Sequence, residues 1–281
     1  MNLLALQIRG ELLKLFARKR TYIGFGAFFA IELILLFLLR LDRVERSIRQ
    51  AIERTGYAAD EYLSGLTLAL LILLWSVFLL GSLYLALISG DLVSKEVEDG
   101  TMRMLLCRPI SRFRLLAIKA FSAFVYTVCL VLFIGVTALA TGMIYGGAGG
   151  MFVFAPLEGI FALYDFGTGL SRYVLAMPLL AASLFTVSAL GFCFSCLNMK
   201  PAAATILTLS VFFVDMIVKN IPYFESIREW FLTARMGAWI HVFEPRVPWE
   251  SMVESYAWLF ALDVTLLALG WLAFERRDLK S

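Results

Sequence analysis

The chain predicts an all-α polytopic membrane protein with six transmembrane helices, and three observations carry that prediction. Hydrophobic residues make up 61% of the sequence and mean hydropathy is +0.83, above the apolar share of ordinary soluble domains. The runs Leu66–Ile88, Ala120–Tyr145 and Tyr173–Leu197 carry no charge, and each exceeds the roughly 20 helical residues that cross a hydrocarbon core of about 30 Å. The runs Tyr22–Leu39, Pro201–Val218 and Tyr256–Phe274 are as apolar except for one acid each, Glu32, Asp215 and Asp263. A single transmembrane domain over residues 1–281 follows, with spans at 22–39, 66–88, 120–145, 173–197, 201–218 and 256–274.

Residues 1–21 read as an amphipathic interfacial helix. Gln7, Glu11, Lys14 and Arg18 recur on one face and Leu4, Ile8, Leu12, Leu15 and Phe16 on the other, the pattern of a helix lying on a membrane. Arg18, Lys19 and Arg20 belong among lipid headgroups. No small-residue cleavage site follows, so the first span serves as an uncleaved targeting segment. Beyond it, Leu41, Val44, Ile48 and Ile52 form an apolar stripe, and the pairs Asp42 with Arg46 and Glu45 with Arg49 support a short helix outside the membrane.

Residues 89–119 form a polar island between the second and third spans, with six Lys/Arg and four Asp/Glu. A connector between two helices needs far fewer residues. Gly100 can end a helix in a left-handed conformation, Pro109 forbids helix continuation, and Ser111 can cap the helix that becomes the third span. The expected order is helix, break, short helix, break, helix. Met102, Met104, Leu105 and Leu106 then offer a soft apolar surface for a partner's groove, framed by Arg103, Arg108 and Arg112. The alternative is a solvated loop whose charges meet headgroups.

Two further loops flank the last spans. Gly146–Arg172 opens with glycines and continues with Phe152, Phe154, Phe161, Tyr164 and Phe166, an aromatic segment suited to the membrane surface. Lys219–Ser255 holds Trp230, Trp239 and Trp249 beside Pro222, Pro245 and Pro248, which reads as an interfacial helix, a break and a return. Orientation follows from the bases, which resist translocation. With the amino terminus inside, the inner segments hold fifteen bases against seven acids, placing both termini in the cytoplasm and the protein in the cytoplasmic membrane.

Several chemistries lack their residues. A phosphate cradle of the GxxxxGK[ST] type needs a lysine followed by a hydroxyl, and the one such pair is Lys280-Ser281 at the extreme end. There is no HExxH and no GxSxG, and His241 is the single histidine, so zinc or serine hydrolysis has no constellation. Cys193 and Cys196 form a CxxC, with Cys107 and Cys129 elsewhere; thiols in an apolar helix are usually packing residues. No metal site, no cofactor of its own and no nucleic-acid partner are expected.

The island and its surroundings resemble a known family. Glu96-Val97-Glu98-Asp99-Gly100-Thr101, Leu105-Leu106, Pro109-Ile110-Ser111-Arg112 and Lys119 are similar to the cytoplasmic signature of ABC-2 type transporter permeases. An amphipathic amino-terminal helix with Glu11, six spans and the ending Phe274-Glu275-Arg276-Arg277-Asp278-Leu279 extend the resemblance over nearly the whole chain. It implies a permease subunit, itself no ATPase, that exports a substrate with energy from a separate ATP-binding subunit present in two copies. That partner would bind ATP and magnesium. It implies also a second permease chain, as homodimer or heterodimer, within membrane lipid. Coupling would rest on Glu96, Glu98, Gly100, Thr101, Leu105, Leu106, Pro109, Ser111 and Arg112, the short helix docking on the ATP-binding subunit.

Acids inside spans are costly and usually face an interior or a cavity. Glu32 and Asp263 are candidates for a translocation path, a cation site or a proton site, or each hydrogen-bonds a neighbouring helix. Asp215 has Lys219 four residues on, a local pair. Two other classes stay open: a stand-alone secondary carrier using Glu32 or Asp263, which internal inverted repeats would favour although none is seen, and an intramembrane enzyme working with carboxylates alone.

Overall fold

The computed structural model describes residues 3–53, 58–107, 110–155 and 159–277. Among them five helices are long and apolar enough to cross a membrane: α2 (Lys19–Leu39), α8 (Arg112–Gly146), α9 (Phe166–Cys196), α10 (Pro201–Val218) and α12 (Trp249–Glu275). The chain is a multi-pass, predominantly helical membrane protein. The run expected as the second span is divided. Helix α5 (Gly65–Ser76) passes through a π turn, Val77–Gly81, directly into α6 (Ser82–Glu98), so the helical backbone continues from 65 to 98. A π turn widens the helix by one residue and recurs at functional sites.

The amino-terminal helix α1 (Leu3–Phe16) is present; of its expected apolar face Leu15 is buried and Ile8, Leu12 and Phe16 are half-buried. Glu11 and Lys14 meet charged partners on other helices, whereas Leu3, Leu4 and Leu13 are exposed. Lys119 of α8, buried, takes Glu11, and Glu96 of α6, buried, takes Lys14. On α2 the buried residues Thr21, Gly24, Phe28, Glu32 and Leu36 follow helical spacing and form the one stripe that packs inward.

Helices α5 and α8 cross at glycine. A Cβ on Gly65 would lie 2.7 Å from the Gly142 carbonyl oxygen, and one on Gly142 would lie 2.4 Å from that of Gly65. Only glycine lets the two backbones touch there. Next to this crossing the structure adds an element the sequence reading did not contain, a two-stranded antiparallel hairpin of β1 (Met151–Ala155) and β2 (Ile160–Tyr164), Met151 opposite Tyr164. It is fastened to the start of α5: Ser64 Oγ donates to the Gly150 carbonyl at 2.6 Å, and Thr67 Oγ1 accepts from Phe152 N at 2.8 Å. Phe152, Ile52 and Ala59 close an apolar contact between the hairpin, α3 (Asp42–Glu53) and the short α4 (Ala59–Tyr62).

The aromatic stretch before α12 folds as a 3₁₀ segment (Pro222–Trp230), α11 (Leu232–Met236) and a second 3₁₀ segment (Gly237–Phe243). The Asp215 carboxylate accepts from Leu232 N at 3.0 Å and Thr233 N at 2.7 Å, capping α11, and Lys219 Nζ donates to the Thr233 carbonyl at 3.2 Å. Arg172 binds the carbonyls of Val242, at 2.6 Å, and of Glu244, and stacks over Tyr164. The hairpin end of the bundle is thereby joined to α9.

Candidate functional site

The island forms at the opposite end of the bundle, where α6 runs out. Asp99 has right-handed dihedrals, and Gly100 takes φ +71°, the left-handed turn that ends a helix. Helix α7 (Thr101–Leu106) follows. Ser111 then accepts from Arg114 N through its hydroxyl, 3.3 Å away, capping α8. Pro109 and Arg108 lie outside the described residues.

The last turn of α6 is fixed by charge. Glu96 is 2% exposed. Its carboxylate takes Lys14 Nζ at 2.5 Å and Lys119 Nζ at 2.8 Å, with Arg18 at 3.8 Å. Lys119, fully buried, also holds Glu11 at 3.2 Å. Helices α1, α6 and α8 thus share one buried network. Burial pushes the Glu96 carboxyl up, but Lys119 and Lys14 outweigh it and hold the group below its usual 4.5. One turn back, Ser195 Oγ of α9 accepts from Val93 N and Ser94 N, both at 2.9 Å, and Asp91 pairs with Arg20.

The residues singled out in the sequence therefore divide into two groups. Glu96 faces inward, and the contacts it makes are with this chain's own lysines. Arg112 likewise binds internally, donating to the Glu275 carbonyl at 2.9 Å and to that of Phe274 at 3.3 Å, where cations suit helix carboxyl ends. Arg277 does the same for α9 through the Leu197 carbonyl at 2.9 Å. Thr101 Oγ1 donates to the Glu96 carbonyl at 3.2 Å. Facing outward are Glu98, Asp99, Met104 at 67% exposure, Ser111 and Phe113 at 61%. Leu105 is half-buried and, with Ile110, walls a groove of about 570 Å³ against Leu6 and Gly10 of α1. Leu106 closes α7.

Residues 7–215 match the family described as "ABC-2 family transporter protein". The chain belongs to that family. The permease is also similar to an uncharacterized protein, YhcI, of Bacillus subtilis (strain 168), 36% identical over 74 residues. That match covers 26% of this chain and 23% of the relative.

The intramembrane acids of the permease are not brought together. Glu32, fully buried, accepts from Thr137 Oγ1 at 3.0 Å, and its Oε2 has no hydrogen-bond partner among the described residues. Asp263 lies beside Phe124 of α8; from Thr137 to Phe124 along that helix is about 20 Å at 1.5 Å per residue. Cys193 and Cys196 are buried free thiols, and no metal-holding group of three His, Cys, Asp or Glu occurs among the described residues. His241 Nδ1 lies 2.5 Å from Glu244 Oε1, a local contact. The Glu11–Lys14–Glu96–Lys119 network is what sequence reasoning missed. Its signal was a lysine at the mouth of an apolar run, Ala117-Ile118-Lys119-Ala120, which must find an acid when it is buried.

Proposed function

We propose that this permease is the membrane subunit of an ATP-driven ABC-2 transporter, exporting its substrate across the cytoplasmic membrane with energy from a separate ATP-binding subunit. Six crossings are counted in this reading, the continuous helix 65–98 supplying the second. Both termini lie in the cytoplasm, as the excess of bases in segments 1–21 and 89–119 favours. Two permeases pair and two ATP-binding subunits attach.

The observation that carries the reading is the form of the island. A short helix follows the break at Gly100 and presents Met104 outward, beside the exposed Glu98 and Asp99 at the end of α6, while its roots are tied into α1, α8 and α12 by Glu96 and Arg112. A solvated loop would have no use for a buried carboxylate at one end and a guanidinium bonded to this chain's own carbonyls at the other. The experiment is co-purification of the permease with its ATP-binding partner. Met104→Asp and Leu105→Asp should lose the partner while the permease remains inserted and folded. A buried apolar anchor at an interface is worth about 2 kcal/mol, so affinity should fall at least about tenfold. Undiminished partner binding and ATP turnover in both variants would refute the docking surface.

A further inference from the structure

We propose that the cleft between α8, α9 and α12 binds a lipophilic monovalent organic cation taken from the bilayer, with Asp263 as its counter-ion. The cleft encloses about 330 Å³ on the outer face of the bundle, within the size range of small-molecule sites. Its walls are aromatic: Phe121 and Phe124 from α8, Phe185 from α9, and Tyr256 and Phe260 from α12. Phe124 and Phe185 meet edge to face with ring centroids 5.3 Å apart. The Tyr256 hydroxyl turns away to donate to the Leu179 carbonyl at 2.9 Å, so the residue gives the cleft its ring.

Asp263 stands in this apolar wall, 6% exposed. Its buried Oδ1 has no hydrogen-bond partner among the described residues, and the hydroxyl of Thr186 is a neighbouring neutral group able to donate to the carboxyl. The spans around it supply no base. Lys119, at the inner end of α8, is held by Glu96 and Glu11. Arg172, on α9, is held by the Val242 and Glu244 carbonyls. Arg235, beside the start of α12, is held by Glu254 at 3.1 Å. A carboxylate at this depth is costly unless it is paired. An arriving cation pairs it, and ring faces add cation–π attraction that grows as water is excluded. A neutral or anionic lipophile of the same shape gains neither.

The test uses full-length permease in lipid nanodiscs, without its ATP-binding partner, so the result stands apart from the coupling reading. Tetraphenylphosphonium and tetraphenylborate share a shape and differ in charge sign. Each is titrated by equilibrium dialysis, with protein-free nanodiscs subtracted. Wild type should bind the cation saturably and not the anion. Asp263→Asn should weaken cation binding about tenfold or more, Asp263→Glu should retain it, and Phe260→Leu on the exposed wall should weaken it severalfold. The proposal is overturned by equal binding of both ions, by no saturable cation binding, or by unchanged cation affinity in Asp263→Asn. Were Asp263→Asn not to fold, unchanged affinity in Phe260→Leu would overturn it equally.

Discussion

Replacing Glu96 by Gln removes the anion that neutralises a lysine with no exposed surface. Lys119 keeps only Glu11, at 3.2 Å, and Lys14 loses its 2.5 Å partner. Removing one member of a buried ion pair costs about 3–5 kcal/mol, mostly from the charge left behind. Lys14 has 41% of its side chain exposed and recovers water, so the loss concentrates on Lys119. For a chain of this size each kcal/mol moves the melting temperature by roughly 2–4 °C, giving a fall of roughly 6–20 °C. Fluorescence-detected size-exclusion of detergent-solubilised permease after heating reads that shift. The double variant Glu96→Gln/Lys119→Gln should recover much of it, since both charges are then gone. Met104→Asp should leave melting unchanged. If Glu96→Gln melts like wild type, the network does not support the fold, and the assignment of Glu96 to an internal rather than a docking role is wrong.

The depressed Glu96 carboxyl sets a pH dependence. Its stabilisation is complete above the usual 4.5 and is lost as pH falls through the lower folded value, so wild type should lose melting temperature on acidification in that range more steeply than Glu96→Gln. Gly142→Ala places a methyl 2.4 Å from a backbone oxygen and should destabilise by about 1–3 kcal/mol, read in the same melting assay. Arg112→Met frees the last carbonyls of α12 and should cost about 1–3 kcal/mol while raising protease cleavage near Arg277. A single cysteine at Ser47, in a background without the native cysteines, should react with impermeant thiol reagent on intact cells and one at Ser111 should not; labelling at Ser111 from outside reverses the orientation.

How much of this could be read from residue order depends on range. Spans follow from hydropathy, and α10 has the same bounds, Pro201–Val218, in sequence and structure because Lys200 and Lys219 mark both ends. The breaks of the island were legible too, since Gly100 and Ser111 act through their own backbone neighbours. What failed was partner choice at a distance. Glu96 and Lys14 are separated by 82 positions, and a periodicity argument assigns polar faces to water by default. Whether a charged face meets water or another charged helix depends on packing, which the pattern of α1 alone does not contain. The hairpin escaped for a related reason: Phe152 and Phe154 mark an interfacial segment as well as they mark a strand, and the pairing that decides it comes from β2 and from Thr67.

The same network bears on how a docking surface could drive the spans. Helix α7 alone has six residues, too short to act as a lever, and what it touches must be moved through its roots. One root is α6, continuous with α5 through the π turn at Val77–Gly81. The other is α8, joined at Arg112 to α12. Glu96 and Lys119 bind those two roots to each other and to α1, so in the proposed coupling a push on α7 cannot shift one root without the other. The π turn, with its widened backbone, is then the place where the second span can bend while its inner half stays locked to α1 and α8. In that proposed coupling motion would reach the hairpin end through bending at Val77–Gly81 rather than sliding at Glu96, and the buried network would keep the inner ends of α1, α6 and α8 rigid beside α7.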